Sequence, residues 1–340
     1  MRYITFILIC VNLLFADTTR TFTDMNGKSI VLPKKIERVF GSAPPISFMI
    51  YVLNDKALIG VNFPQTNGSN KNGKRFLTKH FMKLPIVGGW HGNNMPNLEE
   101  ILAAKPQVII TWDTPLLNER TAKDLARISI PAIKVNIDSS YNYPQVFHYL
   151  GEVLNHPQRG DALAKMAKEY LDELKSFTRT LKQDKKTRVY YAEGISGLQT
   201  ECSRSFHSEP FIIAGANLVH KCVQSTVIGM QQISFEQVLL YNPQVIITDT
   251  ESFYKKIFTD KKWQTLDAVK NKRVYLIPNT PFNWLDRPPS FMRIIGAHWI
   301  ASKLYPKTYP YDIRKKVKDY YKLFFKVNLT DEQLSYYFNL

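Results

Sequence analysis

A fifteen-residue stretch occurs twice in this chain and constrains its fold more than any other feature. Residues 97–111 read NLEEILAAKPQVIIT and residues 234–248 read SFEQVLLYNPQVIIT. Aligned without a gap, 8 of 15 positions are identical, and the copies begin 137 residues apart. Each copy encodes one helix–strand unit. Asn97 or Ser234 supplies an N-cap, and Glu100 or Gln237 three positions on completes a capping-box pattern. The helix ends by Lys105 or Asn242, because the following Pro106 or Pro243 disfavours the α region for the residue before it. The Val-Ile-Ile run then has the pattern of a strand buried on both faces, as in a parallel sheet. One such unit in each half predicts two similar α/β lobes with a cleft between them.

The 340 residues leave room for two lobes with real cores. A chain that is 44% hydrophobic and 13% aromatic is globular rather than disordered. Its formal net charge is +16, but Lys and Arg are scattered from Lys28 to Lys326. A nucleic-acid face would gather them in a stripe, so no nucleic-acid partner is expected. A general attraction for anionic small molecules or surfaces is the more modest implication.

Residues 1–16, MRYITFILICVNLLFA, have the form of a secretory signal: Arg2, an apolar core over residues 4–15, and the small Ala16. The apolar run is shorter than the roughly 20 residues that span a bilayer. Ile9 before Cys10 is not small, so lipid attachment at Cys10 is not expected. The mature protein is predicted to be soluble outside the cytoplasm, most simply in a periplasm. It keeps Cys202 and Cys222, which either form a disulfide or remain two thiols. Neither belongs to a CxxC pair, which argues against a zinc ribbon or thioredoxin-type site.

The domains read as a signal (1–16), an N-terminal lobe (17–154), a linking helix (155–185) and a C-terminal lobe (186–340). A hairpin is expected over residues 21–32, with Asn26-Gly27 at its turn. Strands are expected at 38–40, 57–61, 84–87 and 132–136, and helices at 46–53, 118–127 and 144–154. The polar run 62–74 reads as a surface loop. In the linking segment, Leu163, Met166, Tyr170, Leu174, Phe177 and Leu181 form a continuous apolar stripe at helical spacing. A helix there resists wide hinging. The second half continues with strands at 188–192 and 274–277, helices at 209–214, 263–269 and 290–304, and closing helices after residue 313.

Open α/β sheets bind ligands at the carboxyl ends of their strands. The loops expected there hold Trp90, His91, Trp112, Trp284 and Arg287, with Tyr191 at a strand end. Trp263 and Trp299 fall at helical positions and read as core. His91, after Gly88-Gly89-Trp90, could ligate a metal through a neutral imidazole or serve as a turn donor. Arg287 offers a guanidinium to an oxyanion, or pairs with Asp286 or caps a helix. His207 and His220 are isolated and read as structural or surface residues. No HExxH, CxxC or similar spacing supports a resident metal site; one protein ligand to a chelated metal remains open. Glu99 and Glu236 occupy the same position in the two copies. They either complement the helix dipole or form a matched pair for a symmetric partner. No nucleotide fingerprint, nucleophile elbow or acid/base constellation is present, so no catalytic residue is assigned.

Taken in order, PNLEEILAAKPQVII, YYAEGISGLQT, SEPFIIAGANLV, ISFEQVLLYNPQVII and PFNWLDRPPSFMRIIGAHWIASKLYP resemble the periplasmic substrate-binding proteins of ABC importers for iron–siderophore, haem and cobalamin uptake. That resemblance covers nearly the whole mature chain. It implies a class III fold, two Rossmann-like lobes joined by one long helix, acting as a monomer without enzymatic activity. It implies that Glu99 and Glu236 dock to a permease dimer in the inner membrane, and that aromatics and arginines of the cleft meet a small-molecule metal chelate. Relatives often carry an arginine where this chain has Glu193, which weakens the case for a highly anionic ferric catecholate. Some relatives take nickel held by free histidine, with a cleft histidine after a GGW-like turn, and His91 fits that pattern. The cargo expected is an iron chelate, a ferric siderophore or related complex, with nickel–histidine, haem and cobalamin as alternatives and a two-lobed chelatase as the less favoured class; the metal carried is Fe3+ or Ni2+.

Overall fold

The computed structural model describes residues 18–64, 73–91, 95–114, 118–224, 229–338 and 340. The expected signal, Cys10 and most of the expected surface loop lie outside these residues. The chain opens with the antiparallel hairpin β1 (Thr19–Thr23) and β2 (Ser29–Pro33). Asp24 closes its turn by accepting from the backbone N–H of Asn26 and Lys28.

The N-terminal lobe is built on a parallel sheet of β3 (Val39–Gly41), β4 (Val108–Trp112) and β5 (Ala132–Val135), with β4 in the centre. Helices α1 (Pro44–Asn54), α2 (Lys79–Lys83), α3 (Leu98–Ala103), α4 (Asn118–Ala126) and α5 (Tyr143–Val153) connect and cover it. The expected strands at 57–61 and 84–87 shrink to single bridges, Val39 with Leu58 and Val61 with Ile86. Pro85 lacks the N–H that a longer ladder would need.

Helix α6 (Pro157–Arg179) follows, 23 residues and so about 35 Å long. Its buried face carries Leu163, Ala167, Tyr170, Leu171, Leu174 and Phe177.

The C-terminal lobe has a parallel sheet in the order β11-β10-β6-β8. Its strands are β6 (Arg188–Ala192), β8 (Asn217–Leu218), β10 (Val245–Thr248) and β11 (Val274–Leu276), while β7 (Gln199–Thr200) and β9 (Gln231–Gln232) make a short ribbon beside it. Its helices are α7 (Glu209–Ile213), α8 (Phe235–Tyr241), α9 (Glu251–Ile257), α10 (Asp267–Lys270) and α11 (Met292–Leu304). Cys202 and Cys222 form a disulfide with their Cα atoms 4.9 Å apart, which resolves the pairing the sequence left open. Helices α12 (Ile313–Phe325) and α13 (Asp331–Phe338) end the chain.

The repeated stretch forms the expected unit twice. Asn97 accepts from the Glu100 N–H, and Ser234 accepts from the Gln237 N–H. Lys105 and Asn242 both turn into the left-handed region (φ 46 and 38), and the chain then enters the central or next-to-edge strands β4 and β10. All four residues of β10 are buried.

The lobes share one hydrophobic core. A single cluster runs from Val108 and Ile110 of β4, through Leu163 and Leu174 of α6, to Val245 and Ile247 of β10. The closing helices do not belong to the C-terminal lobe alone. Phe324 meets Phe147 of α5 (5.6 Å), and Tyr321 and Tyr337 meet Phe76 (5.7 and 5.4 Å). Within the C-terminal lobe Trp284 stacks on Phe338 of α13 at 5.0 Å.

Candidate functional site

Because both sheets are parallel, the carboxyl ends of their strands can face one another across the junction. Three contacts bring them together. Phe48 of α1 stacks on Phe282, ring centroids 3.8 Å apart at 12°. Trp112, at the end of β4, meets Phe206 edge-on at 6.2 Å. Glu209, which opens α7, accepts hydrogen bonds from Ser139 Oγ (2.5 Å), Ser140 N (2.8 Å) and Ser140 Oγ (2.7 Å). Each contact joins the two lobes.

On the N-terminal side, Ser42 follows β3 and ties the neighbouring loops. Its Oγ accepts from Trp112 N (3.1 Å), and its carbonyl accepts from Trp90 N (2.8 Å). Asn62 donates to the Gly41 and Gly88 carbonyls, both at 2.9 Å, and accepts from Ser47 Oγ. Trp112 is half-buried and its indole N–H donates to Asp138 Oδ1 at 2.7 Å. Burial raises the Asp138 carboxyl, and the Trp112 hydrogen bond opposes that rise. His91 is half-buried with its ring 6.2 Å from Phe63, which in turn packs on Phe48. Burial lowers its pKa to about 4, so the imidazole is neutral at physiological pH, the form that ligates metals.

The C-terminal side is dominated by Arg287. Its Nε donates to Glu193 Oε1 at 2.5 Å, its Nη2 donates to Glu201 Oε1, and Asp286 Oδ2 lies 3.9 Å from Nε. Burial works against the guanidinium charge, but Glu193 and Asp286 raise its pKa. Burial pushes the Glu193 carboxyl up to about 7, with Arg287 pulling the other way. Burial opposes ionisation of Asp286 too, yet the His207 hydrogen bond and the neighbouring arginines hold it below the usual carboxylate range. Asp249, after β10, is raised by burial.

The sequence-based set separates here. Trp112 reaches the other lobe through Phe206, Arg287 follows Phe282 in the loop whose phenylalanine stacks on Phe48, and His91 lies near Phe63 beside that stack. Trp90, Trp284 and Tyr191 correct the expectation: all three are core residues. Trp90 is 2% exposed, packs on Phe40 and donates its indole N–H to Asp124 at 2.7 Å. Trp284 is sealed between Tyr321 and Phe338. Tyr191 lies against Phe211 at 5.0 Å. Trp263 and Trp299 are core residues as well. Glu99 and Glu236 are exposed in the first turns of α3 and α8. Hydrogen bonding at the helix start lowers the Glu236 pKa.

Sequence reasoning missed Glu201, Phe206, Glu209 and the Ser139–Ser140 pair. None belongs to a motif, and the Ser-Glu-Pro that opens α7 reads only as a helix start. His207 and His220 are structural: His207 pairs with Asp286, and His220 meets Tyr241 Oη (2.8 Å) and Gln231 Oε1 (3.1 Å). Among the described residues one group of three metal-type donors converges, Cys202, His220 and Cys222, and its two sulfurs are bonded to each other.

Comparison with known proteins decides the class. Residues 89–281 match the periplasmic binding protein family. A solved ABC transporter solute binding protein from Sulfurospirillum deleyianum is 67% identical, with a TM-score of 0.92, covering 94% of this chain and 99% of that one. The chain belongs to the periplasmic binding protein family. It is a solute-binding protein of the ABC transporter type, with the two-lobed class III fold. Proteins of this kind bind small ligands and work with a membrane permease. The molybdate-binding protein MolA of Haemophilus influenzae is 26% identical over 335 residues, 91% of this binding protein and 92% of MolA. A Helicobacter pylori CeuE structure with Ni-His is 17% identical with a TM-score of 0.69, covering 93% of this chain and 98% of that one, which shows the fold alone. No helix among the described residues is long and apolar enough to cross a membrane.

Proposed function

We propose that this binding protein is exported to the periplasm through residues 1–16, captures a small transition-metal chelate between its lobes, and hands it to an inner-membrane permease without performing chemistry. The observation that carries the cargo class is the state of the two polar groups at the cleft. His91 offers a neutral imidazole, and Arg287 is already neutralised by Glu193 and Glu201. A chelate of low or positive charge, such as Ni2+ with free histidine, suits that pairing better than a strongly anionic ferric siderophore. The Phe48–Phe282 stack and the Glu209–Ser140 hydrogen bonds must part before haem or cobalamin could enter, so small cargo is favoured. Molybdate is the second reading, favoured by the full-length likeness to MolA.

Tryptophan fluorescence of the mature protein tests the reading, with Trp112 as the half-buried reporter beside the cleft. Titrations use Ni2+ with histidine, a ferric siderophore, haem, cobalamin and molybdate. Saturable quenching by Ni2+ with histidine, weakened at least about tenfold, or about 1.4 kcal/mol, in His91→Ala, is the expected result. Saturation by molybdate alone would replace the chelate reading with the second one. An unchanged affinity in His91→Ala would remove the imidazole as a ligand.

A further inference from the structure

We propose that Glu193 and Glu201 set the charge of the cargo: by holding the Arg287 guanidinium between two buried carboxylates, they turn an anion-binding arginine into a site that rejects anions. The proposal deepens the cargo reading above and rests on the cleft being the binding site.

Three observations carry it. The first is charge. Glu193 is 0% exposed and Glu201 is 1% exposed, while the Arg287 side chain is 22% exposed. One guanidinium and two carboxylates sum to −1 when all are ionised; the half-buried Asp249 stands beside them, and the buried Asp286 is already paired with His207. Glu193 Oε2 and Glu201 Oε2 have no hydrogen-bond partner among the described residues. The cluster therefore holds surplus acceptor capacity, which a donor or cation relieves and an anion worsens.

The second observation is that the arrangement is built in. Glu201 is flanked by the disulfide at Cys202, and its Oε1 also accepts from the Met230 N–H at 2.9 Å. Gly229, in the left-handed region at φ +65, runs past the same carboxylate, and a Cβ there would strike it. Glu193 is fixed at the end of β6 by a reciprocal backbone pair with Gln199 (2.8 and 3.2 Å). The third is strain. Arg287 adopts φ 57, a left-handed conformation that costs an ordinary residue free energy and persists only where its surroundings hold it. The two carboxylates grip the guanidinium that this conformation presents to them. An anionic cargo would have to displace them from the guanidinium or approach within their field.

The experiment compares Glu193→Gln, Glu201→Gln and the double variant with wild type by isothermal titration. The probes are molybdate and Ni2+ with histidine, each at low and high salt, with melting temperature recorded for every variant. The expected result is a gain of tenfold or more in molybdate affinity in the variants. That gain should shrink with salt and vanish when Arg287→Gln is added. Unchanged molybdate affinity in folded Glu193→Gln and Glu201→Gln would overturn the proposal, as would a loss of molybdate affinity. Should the double variant not fold, either single variant carries the same test. If wild type ignores Ni2+ with histidine while the variants still gain molybdate affinity, the chelate reading fails and the charge-setting role stands.

Discussion

At the scale of single residues, burial and charge pull Glu193 in opposite directions, and burial prevails, leaving its carboxyl at about 7 against an ordinary 4.5. The folded protein thus binds this proton more tightly than the unfolded chain does. Its contribution to stability is complete below about pH 4.5 and is lost as pH rises through about 7. His91 has the opposite sign: its pKa falls to about 4, so its contribution is present above pH 6.5 and lost on acidification. The two overlap in wild type, and Glu193→Gln separates them. Between pH 5 and pH 8 the melting temperature of wild type should fall relative to that of Glu193→Gln. Parallel profiles would mean that Glu193 does not titrate in this range.

At the scale of elements, α5 and α6 cross where two glycines face each other. A Cβ on Gly160 would lie 2.6 Å from the Phe147 carbonyl and 2.8 Å from Gly151 Cα. Helix propensity alone favours alanine over glycine by about 1 kcal/mol. The close approach opposes it, and overpacking of this kind costs about 1–3 kcal/mol. Gly160→Ala should therefore lower stability in urea denaturation although it adds a better helix former. A rise in stability would mean that the crossing can open without loss. The same crossing seats α6 against the N-terminal lobe, so its tightness limits how far the strut can swing.

At the scale of the whole molecule, the lobes are joined by more than a strut. A single core passes through α6, and α12 and α13 cover the junction from the side of Phe76 and Phe147. Glu99 and Glu236 are exposed at the same position of the two repeat copies, one on each lobe, and the proposed handover to a permease makes them the docking residues to test. Glu99→Ala with Glu236→Ala should leave cargo affinity intact. Each exposed ion pair is worth about 0.2–1 kcal/mol, so docking should weaken by roughly thirtyfold at most. Transport by the reconstituted importer is the measurement, and an undiminished rate at limiting binding protein would remove the docking role.

Much of the fold was legible in the sequence because its determinants are local. Caps at Asn97 and Ser234, the prolines that stop α3 and α8, and the apolar stripe of α6 each act within a few residues. They fix the elements and, through the duplication, the two-lobed plan. The site was legible only in part. Trp90, Trp112 and Trp284 stand in similar loops at strand ends, and nothing local separates them. Their fates depend on partners far along the chain: Asp124 for Trp90 (34 residues away), Asp138 for Trp112 (26) and Tyr321 for Trp284 (37). Arg287 likewise finds Glu193 and Glu201 at separations of 94 and 86 residues. Periodicity and capping follow from backbone geometry, which every sequence window contains. Burial and ion pairing depend on what the folded chain brings alongside, and here that turned three expected ligand rings into core and an expected anion site into a neutralised one.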